Sequence, residues 1–410
     1  MERYQVIMTA QAPLCFNERR PAEQFRASTG YVPGTVLRGA VASRMVEDGQ
    51  ADTAAFQRLF VHEHPAIFSN GYVAPSVLPA TAMSCKAEKG FRRDGKHGVR
   101  DTLVERLCVE ALMPAGLLYM PSCSQARGSQ DECRSRLERY EGFYRQDGGD
   151  LRSVRVTQRL LTRVAINRRR ATAEDELLYS PLVISEAQRP RDDNYRATEF
   201  TATVTVPAHA DVLGPYLRQV DRLGSGTSRG LGAVQIEATL DPVDDTAELA
   251  ALQQRREAFN AAIRESWQTV ARLPGCSTPA HSPERGAYFS LSLRADAVLK
   301  ADGWLPTHVL TDHMLRERCP QVEDDSLLVV RAYSGYDWRG GWNVAWGLPK
   351  DVDVVVLMGS VFVFWTEHPE RWDEALLDVE RWGVGERIAE GFGQVLVCDA
   401  FHVQAQGVLC

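Results

Sequence analysis

Two stretches, VLGPYLRQVDRLGSGTSRGLGAVQIEATL (residues 212–240) and PERWDEALLDVERWGVGERIAEGFGQVLVCDAF (residues 369–401), spell the same order of elements. Each opens with a short amphipathic helix, runs through a loop of four glycines and closes in an apolar strand. The glycines stand at Gly224, Gly226, Gly230 and Gly232 in the first and at Gly383, Gly385, Gly391 and Gly393 in the second. A unit that occurs twice predicts two copies of one structural module. Because both loops follow a helix and precede a strand, and no lysine of the P-loop type follows, neither fits a dinucleotide or P-loop site.

Working outward, TEFTATVTV (198–206) alternates apolar and polar residues, the pattern of a half-buried strand, and Tyr4–Met8 is the first strand of the chain. In YVPGTVLRGAVASRMVED (31–48) a Pro33-Gly34 turn leads into a helix, with Thr35 as its N-cap and Val36, Leu37, Ala40, Val41 and Met45 at helical spacing. Ahead of the second stretch, GAYFSLSL, SLLVVRAY, VDVVVLM and SVFVFW read as strands. Strands outnumber helices and several joins are hairpin-like, so the expected class is α+β, with each module a ferredoxin-like sandwich. The expected organisation is a first module over 1–240 with an irregular insertion at about 69–149. A charged helix and a Pro/Ser/His-rich linker over 241–284 precede the second module at 285–410.

The chain of 410 residues is 44% hydrophobic and 25% charged, which excludes disordered, collagen-like and coiled-coil classes. With no membrane-length apolar run and no signal-peptide layout, a soluble, cytoplasmic protein is expected. Nine cysteines at irregular spacing argue against a disulfide scaffold. The net charge of −7 gives no global sign of nucleic-acid binding, so any such role must rest on local patches.

Three patches bear on chemistry. From 151 to 170 there are seven arginines and no acid, ending in Arg163, Arg168, Arg169 and Arg170. Arginine grips phosphate bidentately, so the tract is a candidate for phosphate contact, against a hairpin paired by Glu174, Asp175 and Glu176. In the first glycine loop, Ser225, Thr227, Ser228 and Arg229 supply donors where the backbone can approach a phosphate, against a plain turn. The second loop, with Glu386 and Glu390, reads as a packing turn. Cys85, Cys108, Cys123 and Cys133, with His97, fall in the insertion, where a structural zinc could replace a missing core. The expected ligands are Cys123 and Cys133 with two of Cys85, His97 and Cys108, although no C-x-x-C pair is present, and Cys108 in VERLCVEALM also reads as a core thiol. Tyr333, Tyr336, Trp338, Trp342 and Trp346 could stack on bases or pack a loop against the sheet. No HExxH motif is present, and His97 with Asp101 is the one acid/base couple near a basic patch.

The order of motifs resembles that of the CRISPR-associated RAMP proteins. YVPGTVLRGAVASR resembles their first-helix signature, and GSGTSRGLGAVQI and GVGERIAEGFGQVLV resemble their glycine-rich loops. SCKAEKGFRRDGKHGVRDTL and TRVAINRRRATAEDELLYS are similar to features of the type III-D subunit Csx-ten, of the Cas-five-like group. The resemblance implies two RAMP domains in a crRNA-guided effector complex, with target RNA met only indirectly. The subunit would cap the 5′ tag of the crRNA and touch the Cas-ten-type large subunit and a Cas-seven-type backbone subunit. On this chain the implied guide contacts are Arg38 and Arg44 on the first helix, Arg229 with Gly224, Gly226, Gly230 and Gly232, and Arg163, Arg168, Arg169 and Arg170. Target-cutting relatives carry an aspartate between the first strand and the PGT-like turn, where residues 12–31 here contain none, so a noncatalytic role is expected. The alternative is a RAMP endoribonuclease, processing guide or cutting target RNA.

Overall fold

The computed structural model describes residues 1–16, 28–92, 95–113, 119–127, 131–167, 169–170, 172–188, 195–207, 212–343 and 346–405. The first unit runs β1 (Glu2–Ala10), α1 (Gly34–Glu47), β2 (Ile67–Phe68), β3 (Glu199–Val206), α2 (Leu213–Gln219) and β4 (Val234–Asp241). A long helix, α3 (Asp245–Val270), follows. The second unit runs β5 (Ala287–Leu293), α4 (Asp312–Arg318), β6 (Leu328–Tyr333), β7 (Val361–Thr366), α5 (Asp373–Trp382) and β8 (Val395–Val397). The two four-stranded sheets are ordered β4-β1-β3-β2 and β6-β7-β5-β8, antiparallel throughout. In both, the unit's first and third strands lie at the centre and its fourth lies outside the first. The class is α+β, and the repeated order of elements is a repeated topology.

Alternation forms the first sheet. Tyr4, Val6, Met8 and Ala10 of β1 face Phe200, Ala202, Val204 and Val206 of β3, and Val234, Ile236 and Ala238 of β4 fill the same side. Leu37, Val41 and Met45 of α1 and Leu213 and Leu217 of α2 close this core. The N-terminus of α1 departs from expectation: Pro33, not Thr35, occupies the N-cap, and the Gly34 N–H donates to Asn70 Oδ1 at 2.8 Å.

In the second sheet all six residues of β7 are buried. Since successive side chains point to opposite faces, both faces must be covered. Phe259, Ile263 and Trp267 of α3 and Leu376 and Val379 of α5 belong to this core. So do Leu103, Leu107, Cys108 and Leu112 of the helix Leu103–Leu112, contributed by the insertion. Helix α3, placed by the sequence between the modules, is therefore part of the second core. Asp244 caps it, accepting from the N–H groups of Thr246 and Ala247, and Arg256–Asp373 (3.0 Å) and Arg381–Glu248 (2.6 Å) fix it to α5.

The second glycine loop joins the two units. Gly391, at φ +92°, sits so close to β2 that a Cβ there would lie 2.8 Å from the Phe68 carbonyl oxygen and 2.9 Å from Asn70 Oδ1. Within the loop Glu390 accepts from Arg387 and Lys350, both at 2.8 Å. Burial works against ionisation of Glu390, but these cations outweigh it and hold its carboxyl down to about 2. A loop neutralised and seated in this way is a packing element. The strand expected at VDVVVLM forms as the end of Leu348–Val356, which pairs with Tyr336–Asn343 in a separate hairpin outside the sheet.

Candidate nucleic-acid interface and metal centre

The first glycine loop has an anchored outer pair and an exposed inner turn. Gly224 (φ +86°) and Gly232 (φ +84°) press on backbone, where a Cβ would meet the carbonyl oxygens of Cys15 and Leu223 at 2.5 Å. The Gly232 N–H donates to the Pro13 carbonyl at 2.9 Å, and Ser225 donates to Cys15. Gly226 and Gly230, both left-handed, bracket the single turn Thr227–Arg229, in which Ser228 and Arg229 are exposed. Residues without a Cβ adopt those φ values without steric cost, which is what lets the chain make this turn.

Beside it stands the hairpin of Arg163–Asn167 and Thr172–Tyr179. Arg163 Nη1 donates to the carbonyl of Arg229 at 2.7 Å. This bond ties the hairpin's base to the loop, so that two features far apart in sequence make one surface. The guanidinium spends one of its five donors there. Arg169 and Arg170 are exposed at the hairpin's tip, and Arg168 lies outside the described residues. The tract is not uniform: Arg152 pairs with Asp147 and Arg159 with Glu186.

On α1 the two arginines differ. Arg38 turns inward, donating to the Phe60 carbonyl at 2.7 Å and lying over the Phe60 ring. Burial lowers its pKa although Glu390 pulls the other way. It braces the fold where a guide contact was expected. Arg44 is exposed and within reach of Glu47 and Gln219.

The insertion brings four ligand-bearing residues together. One sulfur or nitrogen from each of Cys85, His97, Cys123 and Cys133 lies within 4.8 Å of all the others, a cluster that can hold a metal ion. Cys85 ends the strand Ala82–Cys85, and Cys123 and Cys133 flank the paired strands Ala126–Arg127 and Asp131–Glu132. Burial pushes the Cys123 thiol up to about 11. Hydrogen bonding with Ser135, side chain and backbone, holds Cys133 down to about 6. Cys108 is excluded from the set: it faces the core, with its sulfur on the Ile263 carbonyl, because helix Leu103–Leu112 packs on α3.

The acid/base couple of His97 and Asp101 does not form. His97 Nδ1 lies on the Cys123 sulfur at 3.4 Å, and Asp101 is fully buried against His402 Nδ1. His402 Nε2 in turn meets Ser292 Oγ at 2.9 Å. Sequence reasoning missed this buried trio because its members come from the insertion, β5 and the C-terminal helix. Neighbouring serine, histidine and aspartate side chains have the order of a nucleophilic triad, but all are sealed from solvent and link parts of the fold.

Tyr336, Trp338 and Trp346 are 63%, 49% and 77% exposed on the separate hairpin, so they do not pack a loop on the sheet. Tyr333 does pack, beneath Arg106 and bonded to Glu110. Trp342 lies in the same hairpin.

No family model matches the sequence, and no curated protein does. Among solved structures, the chain is similar to one in the cryo-EM structure of the type III-B Cmr-beta bound to cognate target RNA and AMPPnP. The two share 8% identity over 93% of this chain and 90% of that one, with a TM-score of 0.38. Two further similar chains come from the type III-B Cmr-beta bound to cognate target RNA and from its apo state. Each aligns with 58% of this chain at 12% identity, over 96% and 97% of its own length, with TM-scores of 0.30 and 0.29. Among the described residues, no helix is long and apolar enough to cross a membrane.

Proposed function

We propose that this chain is a noncatalytic, guide-RNA-binding subunit of a type III-D-like CRISPR effector complex, made of two ferredoxin-like RAMP domains. It caps the repeat-derived 5′ tag of the crRNA in the cytoplasm and contacts a Cas-ten-type large subunit and a Cas-seven-type backbone subunit. The Cys/His cluster has a structural part in this reading. One observation carries the RNA assignment: the Arg163 bond to the Arg229 carbonyl, which merges the arginine hairpin and the glycine loop into one exposed surface. A left-handed glycine turn lets a phosphate approach the backbone closely, and the guanidinium groups supply bidentate phosphate contacts. The two β-α-β-β-α-β units, with strand order fourth-first-third-second, are the topology on which RNA-recognition domains are built and support the domain reading.

In the guide-processing form of the endoribonuclease alternative the candidate acid/base pair was His97 with Asp101, and each has another partner. Purified chain incubated with end-labelled repeat RNA is therefore expected to retard the RNA in a gel and leave its length unchanged. Site-specific cleavage that disappears in His97→Ala would replace this function with the enzymatic one.

A further inference from the structure

We propose that Cys85, His97, Cys123 and Cys133 form a closed Cys₃His site for one structural zinc ion, which holds the cysteine-bearing part of the insertion in its fold. The first support is distance. The Cys85 and Cys133 sulfurs are 3.7 Å apart, and the Cys123 sulfur is 3.4 Å from His97 Nδ1. With zinc bonds of about 2.3 Å to sulfur and about 2.0–2.1 Å to nitrogen, a tetrahedron has sulfur–sulfur edges of about 3.8 Å and sulfur–nitrogen edges of about 3.5 Å. Two of the six edges thus already match a tetrahedral shell, and all four donors lie within 4.8 Å of one another. A disulfide needs about 2.05 Å between sulfurs, so the 3.7 Å pair is not one.

The second support is what surrounds the donors. Among the described residues, the local apolar cluster consists of Cys85, Cys123 and Cys133, with Leu137 half-buried against them. Three small thiols bury too little surface to hold strands together, whereas ligation of a metal would do so. The backbone is built around the same point. Cys123 N–H donates to Ser135, Cys133 N–H to Gln125 and Arg134 N–H back to Cys123, with Arg134 at φ +49°. A non-glycine residue in the left-handed region is uncommon, and this one directly follows Cys133. His97 is half-buried and lines a cavity of about 340 Å³ with Cys85 and Cys123, which gives an ion a way in. Four protein ligands leave no open position, so the chemistry is structural, with zinc favoured by the thiolate-rich tetrahedral set.

The test uses the full chain, free of any affinity tag, incubated with excess zinc, passed through gel filtration and assayed for metal. The result expected is about one zinc per chain, kept in Cys276→Ser and lost in the double variant Cys123→Ser/Cys133→Ser. Because the double variant can misfold, cobalt(II) is also titrated into the wild-type apoprotein. Intense tetrahedral ligand-field bands with a thiolate-to-cobalt charge-transfer band, displaced by equimolar zinc, are expected. Wild-type protein that retains under about 0.1 zinc per chain, or cobalt bands of weak octahedral type, would overturn the site. RNA retardation by the same preparations reads the proposed function separately, since no zinc ligand belongs to the arginine and glycine surface.

Discussion

His402→Ala is expected to destabilise the chain by about 3–5 kcal/mol, the usual cost of removing one partner from a buried ion pair. The substitution strips Asp101 of its counter-charge while the carboxylate stays buried, held by the N–H groups of Thr102 and Leu103. It also frees Ser292 Oγ and disconnects three parts of the chain: the strand Val99–Asp101, β5 and the helix Phe401–Gln404. The dependence on pH has a definite sign. Burial disfavours the charged imidazole, but Asp101 outweighs it, so the pKa of His402 is raised on folding. Its stabilisation is full below the ordinary imidazole pKa and is lost as pH rises through the raised one. Burial likewise opposes ionisation of Asp101, and His402 with the surrounding hydrogen bonds outweighs it, so the Asp101 pKa is lowered. That contribution is present above the ordinary carboxyl pKa and is lost as pH falls through the lowered one. Urea unfolding across pH should therefore show the wild-type advantage over His402→Ala greatest at mildly acid pH and shrinking in alkali. A difference below about 1 kcal/mol at every pH would mean that the trio is not an energetic link between these segments.

The second large effect concerns RNA affinity. Replacing Arg163, Arg169 and Arg170 together with alanine should weaken binding to single-stranded RNA of any sequence, because phosphate contacts carry no sequence information. Each lost contact lowers the slope of log affinity against log salt by roughly 0.7, so three lower it by about 2. Relative to 1 M salt, where counterion release contributes nothing, the same arithmetic gives a loss of roughly a hundredfold at 0.1 M. Arg229→Ala should cost less, since the turn between Gly226 and Gly230 keeps its backbone geometry. Fluorescence anisotropy over a salt series checks both. An unchanged slope in the triple variant, with the circular dichroism spectrum intact, would assign the hairpin to solvent or to a protein partner.

Much of the fold was legible because it is written in local periodicity. The alternation in β3 and β4 and the helical spacing in α1 need no distant partner to be read, and they lie where expected. The glycine loops were legible as loops, and the acids of the second marked it as a packing turn, but the surface it packs on was not legible. Whether Gly391 packs on Phe68 or faces solvent depends on how the two units dock. VDVVVLM was legible as a strand but its place was not, because four valines look the same in a sheet strand and in a hairpin arm that also carries Lys350, Asp351 and Asp353. At the candidate sites, proximity in sequence was the wrong guide. Asp101 lies four residues from His97 in the chain, yet its partner, His402, is 301 residues away. Cys108 was a candidate ligand by its neighbourhood, and a helix facing Ile263 removes it. Arg38 showed its charge in the sequence but not the Phe60 carbonyl that takes it up.

The central claim, that this chain holds guide RNA without cutting it, is tested most directly by isolating the tagged chain from cells that also express a type III repeat array and the effector partners, and sequencing the RNA that comes with it. The account predicts short RNAs that share one repeat-derived 5′ segment, enriched over a control pull-down and depleted when Arg163, Arg169 and Arg170 are replaced. RNA no more abundant than in the control, or RNAs with no common 5′ segment, would contradict it.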